Sequence, residues 1–139
     1  MSKKRIDWII HMVANGACCA ECGEVENSFK PYLCNAHTHG MARYGHPDFQ
    51  MVLHTSPEEI MRILNSFGLM VQNGAKFKDG EYVAGIYEDC VVRLKRFREC
   101  EREVLRVIIP DGDNVFPEDP LCKEPYCYQL LPTDELTEE

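Results

Sequence analysis

The sequence predicts an α+β fold in which one mostly antiparallel sheet packs against two helices. Two segments carry apolar residues at helical spacing, later segments alternate apolar and polar residues, and turn residues separate them. The chain has 139 residues, 45% hydrophobic and 27% charged, which fits one globular domain over 1–139. We divide it into an N-terminal helix with a Cys-rich knuckle (1–35), an α+β core (36–131) and an acidic tail (132–139).

The first predicted helix covers about residues 4–15. Its apolar residues recur at helical spacing: Ile6, Ile9, Ile10 and Val13. Asn15-Gly16 suits a helix end because both residues tolerate left-handed dihedral angles. Residues 17–33 show little periodicity, so we expect the helix to lead into an irregular, cysteine-containing segment.

The second predicted helix has the clearest local signal in the chain. Ser56 occupies the N-cap position, Pro57 the first helical position and Glu59 the third, which forms a capping box. Its apolar face follows at helical spacing: Ile60, Ile63, Leu64, Phe67 and Val71. Gly74 ends the helix, and Gly68 is a candidate break because glycine costs about 1 kcal/mol relative to alanine there.

Strands are predicted on both sides of this helix. A β-hairpin is expected before it, with strands near 36–42 and 49–55 joined by the turn-rich residues 43–48. Alternating patterns predict four later segments, the last of them an edge strand: 81–87, 90–97, 103–109 and 126–131.

Charge and hydropathy exclude two classes of partner. The net charge of −8 argues against a dedicated nucleic-acid binder, whose affinity would come mainly from neutralised phosphates. No run approaches the roughly 20 apolar residues of a membrane span. The basic start is followed at once by Asp7, which argues against a secretory signal, so we expect a cytoplasmic protein with reduced thiols.

The metal-ligand types concentrate between Cys18 and His46, where four cysteines and three histidines occur. Cys19 and Cys22 form a CxxC knuckle, and Cys34 and His37 form a second pair at the same spacing. Thiolates and imidazoles are ligands that zinc prefers, so these four residues predict a structural zinc site. Cys18 is an alternative to Cys19 in that set.

A histidine-centred metal is the second hypothesis. His37 and His39 are two residues apart, so a strand would point both to one face. His54 would lie opposite His37 in the predicted hairpin, and three imidazoles with an open position suit a hydrolytic metal. His46 and Asp48 are candidate acid–base residues at the turn. The alternative is structural: the His46 ring caps a neighbouring carbonyl. An Asx-turn likewise explains Asp111 without any function.

Several segments resemble a bacterial protein family. These segments are Thr38-His-Gly40, Gly45-His-Pro-Asp48, Val107-Ile-Ile-Pro-Asp-Gly112 and Phe116-Pro117. In order and spacing they resemble the domain of unknown function 4262 over about residues 36–130. The resemblance implies a bacterial source and an α+β core, and it carries no activity. Residues 18–34 depart from the family pattern, so the resemblance does not imply the metal site.

These observations predict a zinc-binding accessory or binding module of the bacterial cytoplasm. The alternatives are a metal-dependent hydrolase that uses the histidines and a flavin- or nucleotide-binding domain. The sequence does not decide whether the chain is an enzyme. The expected partner is a small molecule or a protein, including a second copy of the chain, and neither a nucleic acid nor a membrane.

Overall fold

The computed structural model describes residues 8–13, 32–53, 55–99, 102–132 and 135–136. Within these ranges a six-stranded sheet packs against one α-helix. The elements in chain order are β1 (Ile9–Val13), β2 (Leu33–His39), β3 (Asp48–Leu53), α1 (Pro57–Gln72), β4 (Tyr82–Val83), β5 (Val92–Glu99) and β6 (Arg102–Ile108). No helix among these residues is long and apolar enough to cross a bilayer.

The strands lie in the order β1-β2-β3-β6-β5-β4. Four neighbouring pairs are antiparallel, while β3 and β6 are parallel, so the sheet is mixed. Parallel strands need a long crossover connection, and here α1, β4 and β5 lie between β3 and β6 in the sequence. The predicted hairpin is confirmed as the antiparallel pair β2–β3, whose connection contains a short 3-10 helix at Met41–Tyr44.

The helix α1 confirms the N-cap predicted at Ser56, while both carboxylate oxygens of Glu59 accept hydrogen bonds from Arg62 rather than completing the predicted capping box. The Ser56 side chain accepts a hydrogen bond from the Glu59 backbone N–H at 3.1 Å, and Pro57 begins the helix. The predicted apolar face is buried in the core. The helix continues through Gly68 without a break, and this glycine lies against the ring of Trp8.

Residues 9–13 form an edge strand, so the predicted helix over 4–15 is wrong for these residues, and the described chain has one α-helix rather than two. Every residue of β1 pairs with β2, from Ile9 opposite His39 to Val13 opposite Asn35. Ile9 is 53% exposed, although a helical stripe would have buried it. In the strand Ile10 packs against the core, while alternation points Ile9 to the opposite face.

Trp8 anchors this edge strand to the helix. The indole is 5% exposed, and its Nε1–H donates to Asn65 Oδ1 of α1 at 2.8 Å. A Cβ added to Gly68 would lie 2.6 Å from Cε2 of Trp8, well inside van der Waals contact. The missing side chain at Gly68 therefore makes the notch that the indole fills.

The two faces of the sheet differ in polarity. Phe49 of β3 stacks on Phe67 of α1 with centroids 5.0 Å apart, so this face is the apolar one. Alternation points the next residue, Gln50, to the opposite face. His37 and Arg106 are the register partners of Gln50 on its two neighbouring strands and share that polar face.

The C-terminal segment packs as a 3-10 helix at Tyr126–Leu130, so the predicted edge strand there is wrong. One side chain takes the place of a strand pairing. Gln129 accepts from the Ile109 backbone N–H at 2.8 Å and donates to the Ile109 carbonyl at 2.6 Å. Because the Gln129 side chain bonds the backbone N–H and carbonyl of Ile109, the C-terminal segment does not need to pair there as a strand.

We predict that Gly68→Ala destabilises the protein. Overpacking against Trp8 costs about 1–3 kcal/mol, which exceeds the roughly 1 kcal/mol that alanine gains in helix propensity. Chemical denaturation measures the free energy of unfolding. In a Trp8→Ala background the same change should become stabilising, because the notch is empty. Stabilisation by Gly68→Ala in the wild-type background would contradict the packing.

Candidate metal centre

Three histidines converge on the polar face of the sheet. His11 of β1 lies directly opposite His37 of β2, and His39 follows two residues along β2 on the same face. One ring nitrogen from each lies within 4.8 Å of the other two. Among the described residues, this group could hold a metal ion.

The ring geometry fits an imidazole-bound metal. The centroids of His11 and His39 are 4.3 Å apart, those of His37 and His39 4.7 Å, and those of His11 and His37 5.6 Å. A tetrahedral zinc with Zn–N bonds of about 2.0–2.1 Å holds its nitrogens roughly 3.4 Å apart and its ring centroids roughly 5 Å apart. The ring spacing is therefore close to that around a bound zinc, while the ring nitrogens, which lie within 4.8 Å of one another, would have to approach to about 3.4 Å.

Burial makes this cluster chemically unusual. His37 is 3% exposed, and His11 and His39 are half-buried. The Nδ1 atom of His11 is buried and has no hydrogen-bond partner within the described ranges. A buried polar atom without a partner costs about 1–3 kcal/mol. A bound cation would supply a partner for such a nitrogen.

A chain of hydrogen bonds links His37 through two side-chain amides to Arg106. Its Nδ1 lies 3.1 Å from Asn35 Oδ1, which also accepts from Gln50 Nε2 at 3.0 Å. Gln50 Oε1 in turn accepts from Nε of Arg106 at 2.7 Å. Arg106 is fully buried, and its guanidinium lies 3.6 Å from the centroid of the Phe97 ring. The chain connects strands β2, β3 and β6.

Sequence reasoning missed four members of this site: His11, Asn35, Gln50 and Arg106. A signal was present for two of them. His11 interrupts an apolar run, and a strand assignment there would have faced it toward the same side as Ile9. Arg106 stands alone in the apolar run of β6, where a charged residue requires buried partners.

The predicted zinc ligands are only partly accounted for. The structure brings His37 and His39 together, but no cysteine belongs to the group that the described residues form. Cys34 lies in the apolar core with its Sγ 3.9 Å from the Met51 carbonyl oxygen, and burial raises the pKa of its thiol to about 12. Four predicted ligands lie outside the described residues: Cys18, Cys19, Cys22 and His54. The four-ligand site with Cys19, Cys22, Cys34 and His37 stays a prediction.

The turn residues have structural partners. The Nδ1–H of His46 donates to the carbonyl of the next residue at 2.8 Å, and its Nε2 accepts from the Phe77 backbone N–H at 3.0 Å. This confirms the interpretation that the ring caps a carbonyl. Asp48 Oδ1 accepts from Thr38 Oγ1 at 2.8 Å and from the Met41 backbone N–H at 3.0 Å. A catalytic role for His46 and Asp48 stays a prediction.

The Asx-turn at Asp111 is confirmed. Its Oδ1 accepts from the backbone N–H groups of Asp113 and Val115 at 2.8 and 3.0 Å. Cys122 lies beside this turn, with its Sγ 3.3 Å from the Val115 carbonyl oxygen. The thiol of Cys122 therefore contacts the loop at the end of β6 and is not part of the histidine group.

No family model, no curated protein and no solved structure matches the chain. The resemblance to the domain of unknown function 4262 stays a prediction.

We predict that Cys34 resists alkylation in the folded protein. Because the thiolate is the nucleophile and burial raises the Cys34 pKa to about 12, almost no thiolate is present near pH 8. Iodoacetamide labelling followed by peptide mass spectrometry should modify Cys34 more than ~10-fold more slowly than the half-buried Cys127. Both should react fully in denaturant, and equal labelling of the folded protein would contradict the core position.

Proposed function

We propose that the chain is a zinc-binding protein that holds the ion with His11, His37 and His39. The observation that carries the proposal is the convergence of three imidazoles from two paired strands, with ring nitrogens within 4.8 Å of one another. The unpartnered Nδ1 of His11 is a second, independent support. Burial of the group shields it from competing water.

The donor set favours zinc over hard cations. Magnesium and calcium prefer carboxylate, carbonyl and water oxygens, and no carboxylate belongs to this group of described residues. Neutral imidazole nitrogens suit zinc and related transition metals. Zinc also has no geometric preference from its d electrons, so it tolerates the modest rotations that this site requires.

Zinc at this position would join the edge strand β1 to β2. A ligand that binds only the folded state stabilises it by about 2.7 kcal/mol at 100 times its dissociation constant. The site supports a role as an accessory or binding module whose N-terminal edge is ordered by metal. Within the described residues β1 is at the end of the sheet, where such a link adds the most.

A metal-dependent hydrolase is the second candidate. The observation in its favour is the number of ligands: three imidazoles leave one tetrahedral position for water or substrate. Zinc in such a site lowers the pKa of bound water to about 7. His37 and His39 belong both to the predicted hydrolytic set and to the group that the structure brings together.

We predict one zinc ion per chain, and its loss when a histidine ligand is removed. Isothermal titration with Zn²⁺ should show weaker binding in His11→Ala and His39→Ala by more than the ~10–100-fold cost of losing an outer-shell partner. Ile9→Ala is the matched control, because Ile9 shares the strand and face of His11 and is exposed. Mg²⁺ should not bind measurably.

The cysteine variant Cys22→Ser separates the two ligand sets. Zinc retained in Cys22→Ser and lost in His39→Ala supports the three-histidine site. Zinc lost in Cys22→Ser and unchanged in His39→Ala would contradict it and support the site with Cys19, Cys22, Cys34 and His37.

We predict that the metal keeps an exchangeable position. The visible spectrum of the cobalt-loaded protein should shift when azide is added, because a small anion enters a free coordination site. The titration gives an azide dissociation constant, with free Co²⁺ in buffer as the control. A spectrum unaffected by azide indicates a closed shell and counts against the hydrolase candidate.

A further inference from the structure

We infer that Arg106, Gln50 and Asn35 are positioning residues that fix the tautomer of His37 so that its Nε2 carries the lone pair. The inference rests on the proposed zinc site for its functional meaning, since a metal binds an imidazole through an unprotonated nitrogen. The chain of three hydrogen bonds below His37 carries it, because each bond sets the direction of the next.

Arg106 determines which group donates and which accepts along this chain of hydrogen bonds. Its guanidinium has only N–H donors and cannot lose its proton in a protein. Its Nε lies 2.7 Å from the side-chain amide of Gln50, so the amide must turn its oxygen toward Arg106. The side chain of Arg106 is held in this place, because Nη1 also donates to the Gln129 carbonyl at 2.7 Å and to the Leu131 carbonyl at 2.5 Å.

The direction then passes through two amides. With its oxygen on Arg106, Gln50 presents its NH₂ group to Asn35 at 3.0 Å, so Asn35 must present an acceptor, Oδ1. The same oxygen lies 3.1 Å from Nδ1 of His37. Because Oδ1 can only accept, Nδ1 of His37 must be the protonated nitrogen, and Nε2 is the unprotonated one in the neutral ring.

This arrangement matches how proteins prepare histidine ligands. A metal-binding histidine usually donates its second ring N–H to an oxygen, which fixes the tautomer and the ring orientation, and loss of that partner costs about 10–100-fold in affinity. Here the oxygen belongs to the Asn35 amide, and the orientation of that amide is set, through Gln50, by the fixed positive charge of Arg106. His37 is the most buried of the three proposed ligands, and these hydrogen bonds orient its ring in the metal-free protein.

The test is Gln50→Glu, which keeps the shape of the side chain and replaces the NH₂ donor that faces Asn35 by an acceptor. The carboxylate still accepts from Arg106, but it offers an acceptor to Asn35, which must then turn its NH₂ group toward both neighbours. His37 Nδ1 must accept, and the proton moves to Nε2. The ¹⁵N spectrum of the histidine rings in metal-free protein reports the protonated nitrogen, with the His37 signal assigned by its loss in His37→Gln.

The expected result is an Nδ1–H ring for His37 in the wild type, an Nε2–H ring in Gln50→Glu, and ~10–100-fold weaker zinc binding in that variant. Asn35→Asp keeps the acceptor and should keep the Nδ1–H ring. Gln72→Glu on α1 controls for the added charge and should match the wild type in both tautomer and affinity. If Gln50→Glu does not fold, Asn35→Leu removes the acceptor and should populate both tautomers.

An unchanged His37 tautomer in Gln50→Glu, or in Asn35→Leu, overturns the inference. So does a loss of affinity without a change of tautomer, since that is the effect of general destabilisation. A reversed tautomer in a protein whose wild type binds no zinc supports the inference and overturns the proposed function, so the two failures are distinguishable.

Discussion

The antiparallel register between β1 and β2 is the constraint on which the site depends. A shift of one residue would move every β1 side chain to the opposite face of the sheet. His11 would then enter the apolar core, and Trp8 would lie on the polar face. The Trp8 indole prevents that shift, because it fills the notch at Gly68 and donates to Asn65. A glycine that weakens α1 as a helix thus helps to place a histidine on the other side of the sheet.

The polar face poses a second constraint, because buried polar groups must find partners. Arg106 is fully buried, and burial of a charge is costly unless hydrogen bonds replace its water. Gln50 and the carbonyls of Gln129 and Leu131 supply those bonds, so the C-terminal segment completes the environment of a strand residue. A fully bonded network in a region of low dielectric constant is rigid. That rigidity extends along the chain of amides to His37.

Sequence reasoning succeeded where the signal is local. Short segments of sequence were enough to predict the cap of α1, its buried face and the β2–β3 hairpin. The two-residue spacing of His37 and His39 likewise predicted that they share one face of the sheet. The prediction for residues 9–13 was wrong because spacing does not distinguish a helix from a strand in so short an apolar run. Only the pairing with β2 decides between them. The partners of His37 were missed for the same reason, since Gln50 and Arg106 are 56 residues apart and meet through a parallel pairing.

The three histidines therefore differ in how firmly they are held. His37 lies on an interior strand, is almost fully buried and is bonded through Asn35. His11 lies on the edge strand of the described sheet, is half-buried and has a nitrogen without a described partner. In the proposed zinc site, His37 would be the rigid ligand on the interior strand and His11 the adaptable ligand on the edge strand. In such a site the interior strand determines where the metal lies, and the edge strand gains order from binding it.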